Sequence, residues 1–288
     1  MSLEERFGNL FTWKSGEKRA PHKPLLLLLA IGNVQHCKER LVLFEEIEPK
    51  LSRALMLFGP AGRVATPQYP FWRLQNDNLW QVESDGPMKL RQGSDDPAKS
   101  ALIEKRARAG FLSSDYDSLR NNKKLQSRLI HQLLDAHFPS SIHEDIIAFF
   151  DLEIDVPDAQ NSEPAGTWRQ KVLKAYGWKC AVTQFSVGFQ RAIFGVEPSF
   201  IRWPQAGGSS KANNAIALTT LHRKLFHLGV FTIDAKYLIR VSQRASEECL
   251  PPGMLSQFDG KKIGLPKDTA DHPDKTCLEW HAEEVFRK

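Results

Sequence analysis

Apolar positions recur with helical spacing over Leu3 to Trp13 and again over Leu43 to Phe58, the second run ending at Gly59-Pro60. Between them a helix begins at Pro24, a residue suited to a first helical turn, and enters five consecutive leucines. That apolar run is far too short to span a bilayer and reads as buried core. The texture then changes. Tyr69 to Leu74 and Leu79 to Glu83 are short and aromatic-rich, separated by Gln75-Asn76-Asp77-Asn78, which predicts a β-hairpin. Helical spacing returns over Asp115 to His137 and Ser141 to Phe150. Residues 1–150 therefore read as a mostly helical domain with a small hairpin or sheet.

The stretch Asp151 to Gly166 carries two prolines, five acids and no base, and reads as a linker over residues 151–166. Residues 167–288 form a second domain. It opens with a helix at Thr167 to Tyr176, followed by strand candidates at Cys180 to Val182 and Ala192 to Ile201. A polar loop, Gln205 to Asn213, leads into a helix over about Leu218 to Leu228. Two more strands, Val230 to Asp234 and Tyr237 to Val241, and a terminal helix, Leu278 to Phe286, close it. The fold class is α+β.

Composition narrows the function. At 288 residues, 41% hydrophobic and 25% charged, the chain has the make-up of about two globular domains. Its four cysteines lie far apart with no CxxC pair, which offers no disulfide framework and suits a cytoplasmic protein without a membrane partner. Walker, GxGxxG and GxSxG motifs are absent. The formal net charge is +5, but unevenly placed: Trp168 to Lys224 holds nine Lys/Arg against Glu197 alone, and Lys99 to Arg128 holds eight against three acids. Segments this basic point to a polyanion, nucleic acid above all.

Two clusters could engage such a partner. Ala20-Pro21-His22-Lys23-Pro24 and Tyr69-Pro70-Phe71-Trp72-Arg73 each place a proline beside a cation. Phe71 and Trp72 are expected in the core. His22, Lys23, Tyr69 and Pro70 fit a stacking or backbone-binding surface and an ordinary strand edge equally well.

These segments carry a resemblance. Pro21 to Leu28 and Tyr69 to Asp77 are similar to the sulfur-binding domain of DNA phosphorothioate-dependent restriction endonucleases. The later pieces Val172 to Gly177, Trp203 to Gly208, Leu221 to Phe226, Trp280-His281 and Glu284 to Phe286 resemble the HNH nuclease domain that follows it in that family. The resemblance implies a partner: double-stranded DNA in which sulfur replaces one non-bridging phosphate oxygen. Sulfur is larger, more polarizable and a poorer hydrogen-bond acceptor than oxygen, so it favours an apolar wall, while the group stays anionic and calls for a cation. By residue type His22, Lys23, Tyr69 and Pro70 match that pocket, and Arg73 joins the candidate set at a position where family members differ. Asn76 and Asp77, in the expected hairpin turn, either reach base edges or only make the turn.

The resemblance also implies a ββα-metal second domain in which a His base activates water and a divalent metal, magnesium or manganese, stabilises the leaving oxygen. Here Phe200 takes the place of the base, Asn214 the middle position and Arg223 the last His position. His227, four residues from Arg223, lies on the same helical face, and with Asn214 and Glu197 it makes up the candidate catalytic set, Asn214 and His227 being the candidate metal ligands; His227 reads equally well as an ordinary helix-end histidine near Gly229. A structural zinc is not expected: Cys180 is accompanied only by Thr183, Thr219 and Thr220, and hydroxyls are poor zinc ligands. Three readings follow: a modification-dependent restriction endonuclease, a non-cleaving reader whose second domain is a clamp or homodimerisation unit, and an unrelated RNA-binding protein.

Overall fold

The computed structural model describes residues 1–10, 21–154, 166–189, 192–245 and 254–288. The chain divides into two compact units, Met1–Ala159 and Gln160–Lys288, and the fold class is α+β. Among the described residues no helix is long and apolar enough to cross a membrane.

The first unit is built around one helix. After α1 (Leu3–Gly8), opened by a Ser2–Glu5 capping box, comes α2 (His22–Gln35). Residues Leu25 to Ile31 of α2 are buried on every side, as a central helix requires. Strand β1 (Val42–Leu43) leads into α3 (Phe44–Phe58), then α4 (Gln68–Arg73), β2 (Trp80–Glu83), α5 (Lys99–Glu104) and β3 (Arg108–Phe111). The unit ends with α6 (Ser113–Arg120), α7 (Lys123–His137) and α8 (His143–Phe150). Helices α3, α4, α6, α7 and α8 all pack on α2. The strands form one antiparallel sheet in the order β1-β3-β2, with Trp80 opposite Phe111 and Val42 opposite Ala109. Gly110 is required in β3, because a Cβ there would lie 1.7 Å from the Arg40 carbonyl oxygen.

The expected hairpin does not form. Gln68–Arg73 is helical and passes into a 3-10 turn, Leu74–Asp77, while β2 pairs with β3, far along the chain. The reason lies in the prolines: Pro67 caps α4 and Pro70 sits in its first turn, where a missing N–H costs nothing. Phe71 and Leu74, three residues apart, then face the core together, both fully buried. Asn78, at φ 53°, ends the turn in the left-handed region that Asn tolerates. The single helix expected over Asp115 to His137 is two helices. The Asn122 side chain accepts from the Leu125 N–H and starts α7 afresh. The part of the first expected helix beyond residue 10 and most of the acidic stretch lie outside the described residues.

The second unit comprises α9 (Gly166–Ala175), the hairpin β4 (Val187–Phe189) and β5 (Ala192–Phe194), then β6 (Glu197–Phe200) paired antiparallel with β7 (Ala215–Leu218). Helix α10 (Thr220–His227), the hairpin β8 (Phe231–Ile233) and β9 (Ile239–Val241), and α11 (Lys275–Glu284) follow. Val172, Cys180, Ile201, Ile216, Leu218, Phe226 and Phe231 share one core. Cys180 to Val182 is a turn rather than a strand, closed by the Cys180 N–H donating to the Phe185 carbonyl at 3.0 Å. Conversely, Ala215 to Leu218, whose apolar run suits either state, is a strand buried at every position.

Candidate nucleic-acid interface

Helix α2, helix α4, the 3-10 turn and the loop before α5 bring the candidate residues of the first unit together. His22 opens α2, partly exposed. Lys23 turns inward: its Nζ lies 2.5 Å from Asp77 Oδ2, with side-chain exposures of 11% and 2%. This pair ties the start of α2 to the turn after α4. Asn76 stands exposed beside it, in a 3-10 turn and not the hairpin turn expected for Asn76 and Asp77. Pro70 is buried, while Tyr69 remains partly exposed. Phe71 is core as expected; Trp72 is only partly buried and donates its indole N–H to the Asp95 carbonyl at 2.9 Å.

Arg73 supplies the open charge. Its guanidinium lies 4.9 Å from the Tyr69 ring centre and pairs with both oxygens of Asp96, Nε to Oδ1 at 2.7 Å and Nη2 to Oδ2 at 2.5 Å. A second guanidinium, Arg91, lies over the same ring at 5.2 Å and approaches Asp96 to 3.8 Å. Hydrogen bonding from Arg73 holds the Asp96 carboxyl below the usual carboxylate range. Arg91 and Asp96 escaped the sequence reading. They lie in a loop of Gly, Ser and Asp whose composition signals a turn and nothing about what the turn approaches.

In the second unit Glu197, Asn214 and His227 each have partners of their own. Asn214 is fully buried and its carboxamide is engaged with backbone. Oδ1 accepts from the Arg202 N–H at 2.9 Å, and Nδ2 donates to the carbonyls of Arg202 and Ser209 at 2.9 and 2.8 Å. Glu197 is paired with Arg223 at 2.6 Å and accepts from the Thr220 hydroxyl, so a guanidinium supplies the cation there. The buried His227 places Nε2 3.0 Å from Ser199 Oγ and 3.3 Å from the Phe200 carbonyl oxygen. Phe200 itself stacks on Trp168, ring centres 4.3 Å apart. Each of the three donors is thus engaged by protein groups: Asn214 by backbone, Glu197 by Arg223 and Thr220, and His227 by Ser199 and Phe200. Among the described residues no group of three or more His, Cys, Asp or Glu is gathered anywhere.

Cys180 has different neighbours. Burial pushes its thiol up, but hydrogen bonds from His222, Thr183 and nearby backbone outweigh that and bring it down to about 7. His222 Nδ1 is also 2.7 Å from the Thr219 hydroxyl. Cys180, Thr183, Thr219 and His222 thus knit the turn after α9 to the start of α10. His222 contributes here, a role its position beside Arg223 did not announce.

Residues 1–155, which contain the whole first-unit cluster, match the ScoMcrA-like, DNA sulfur-binding domain family. The chain belongs to this family. Among solved structures it is similar to the sulfur-binding domain of ScoMcrA complexed with phosphorothioated DNA, at 25% identity and a TM-score of 0.47, covering 51% of this chain and 95% of that one. It is also similar to the corresponding SprMcrA domain complexed with phosphorothioated DNA, at 21% identity and a TM-score of 0.42, covering 51% and 92%. Against the Type IV phosphorothioation-dependent restriction endonuclease ScoMcrA, at 25% identity and a TM-score of 0.46, it covers 52% of its own length and 33% of that chain. Comparison with curated proteins gives no match.

Proposed function

We propose that this member of the sulfur-binding domain family reads phosphorothioate-modified double-stranded DNA through its first unit. The observation that carries the reading is that the family match covers the residues on which Tyr69, Arg73 and Arg91 form a partly exposed aromatic and cationic surface. An aromatic face suits the polarizable sulfur, and the guanidiniums suit the charge that the modified group keeps. The test is binding of the full chain to two duplexes of one sequence, differing by a single sulfur. Tighter binding of the sulfur form is expected, by roughly tenfold if the preference is worth about one good contact. Equal affinity for both overturns the reading.

We read the second unit as an HNH-like ββα element that holds DNA without cutting it. Its β6–β7 pair runs straight into α10, and Arg223, paired with Glu197, stands where the resemblance calls for a metal-binding His. An added positive charge opposes a metal ion, and Phe200 cannot take a proton. The purified protein is accordingly expected to carry no stoichiometric zinc, to keep its melting temperature in chelator, and to leave modified duplex intact with magnesium or manganese. Brisk metal-dependent nicking, abolished by His227→Ala, would point instead to an endonuclease with a rearranged site. About one zinc per chain by elemental analysis would contradict the first of these expectations and require ligands other than those considered above.

A further inference from the structure

We propose that Asp96 is a positioning residue that sets Arg73 and Arg91 against the Tyr69 ring as a two-guanidinium seat for one backbone anion of duplex DNA. The inference rests on the first unit being a DNA reader and specifies how that surface grips the backbone. The Asp96 side chain is 5% exposed, whereas those of Arg73 and Arg91 are 50% and 43% exposed. One buried acid therefore faces two open cations, and the trio presents a net positive charge outward. Asp96 is itself held in place. Ser94 Oγ donates to its Oδ2 at 3.1 Å, the Arg91 N–H donates to its carbonyl at 3.0 Å, and a bridge between Leu90 and Pro97 closes the loop.

The geometry favours a backbone anion over a base edge. Reading guanine takes an extended arginine that offers two N–H groups to O6 and N7. Arg73 is instead pinned over the aromatic ring, with Nε and Nη2 already given to Asp96. What it keeps is charge and the Nη1 edge, close to a second guanidinium held by the same carboxylate. Two converging cations suit a single anionic group. Holding them in place beforehand matters more when sulfur, a weak acceptor, replaces one oxygen and the remaining oxygen must receive the hydrogen bonds.

Asp96→Asn separates positioning from simple charge, because the two predict opposite signs. Deleting an acid beside a polyanion tightens binding if only net charge counts. If Asp96 orients the arginines, the same change loosens it. In the 288-residue chain, Asp96→Asn is expected to weaken binding to the phosphorothioate duplex by roughly tenfold, the scale of one charge-assisted hydrogen bond. It should also reduce the preference for sulfur over oxygen. Arg91→Gln should make the slope of log affinity against log salt shallower by about one phosphate contact. Arg73→Lys keeps the charge without the bidentate pair and provides the same test should Asp96→Asn not fold; it too should bind more weakly.

Unchanged or tighter binding by Asp96→Asn, or by Arg73→Lys where Asp96→Asn does not fold, overturns the proposal. So does a loss of discrimination at a single base pair with the salt slope intact, which would mean base reading. A wild-type chain that binds both duplexes equally sinks the proposed function, not this inference. Its outcome is then read from the affinity of Asp96→Asn for ordinary duplex, weaker supporting it and equal or tighter overturning it.

Discussion

Lys23→Ala is expected to destabilise the first unit by about 3–5 kcal/mol, the scale for removing one partner of a buried ion pair. Lys23 resembles a pocket cation in its motif, but its ammonium is 2.5 Å from an Asp77 carboxylate that is 2% exposed. Without Lys23 that carboxylate keeps its desolvation penalty and loses this partner. The pair also joins the first turn of α2 to the turn that follows α4, so the surface carrying Tyr69 and Arg73 loosens with it. Weaker DNA binding by Lys23→Ala therefore reports stability first. Urea denaturation of the full chain measures the change, and an unaltered midpoint for the first-unit transition would contradict the expectation. Lys23→Met combined with Asp77→Leu should recover most of the stability, since apolar replacement of a whole buried pair is often neutral or better. If the double variant is stable and still binds DNA as the wild type does, Lys23 is a structural residue and the charge on this surface comes from the arginines.

Asn214→Ala carries the second large effect, in the other unit. One fully buried carboxamide satisfies the N–H and carbonyl of Arg202 and the carbonyl of Ser209. Each buried polar group left without a partner costs about 1–3 kcal/mol, so roughly 3–5 kcal/mol is expected for the set after partial relaxation. The loop is built closely around this side chain. A Cβ on Gly208 would meet the Arg202 carbonyl oxygen at 1.9 Å and Asn214 Nδ2 at 2.9 Å. Asn214→Asp should be no better, because a carboxylate would replace the donor that now faces two carbonyl oxygens. A variant with unchanged stability that alters metal-dependent nicking would return Asn214 to the role of metal ligand; loss of the second-unit unfolding transition with no metal effect is the expected result.

Local features of the chain were legible wherever local physics decides them. The helix over Phe44 to Phe58 follows from its apolar spacing and the Gly59-Pro60 stop, and the buried α2 follows from its leucines. The Tyr69-to-Arg73 segment misled, because its aromatic residues suggested a strand while Pro67 and Pro70 marked the start of a helix. The proline positions were the signal to weigh more heavily.

The family resemblance, not residue type alone, singled out His22, Lys23, Tyr69 and Pro70, and in the second unit the polar loop and the helix after it could be read from the chain while the strand between them, Ala215–Leu218, could not. Tertiary structure decided which charge answers which. Lys23 found Asp77 at a separation of 54 residues, Arg73 found Asp96 at 23 and Glu197 found Arg223 at 26. Spacing specifies a helix or a strand because that pattern is set by neighbours along the chain. The partner of a buried charge is set by which distant surfaces the core brings into contact, and burial makes that pairing obligatory once the core has formed.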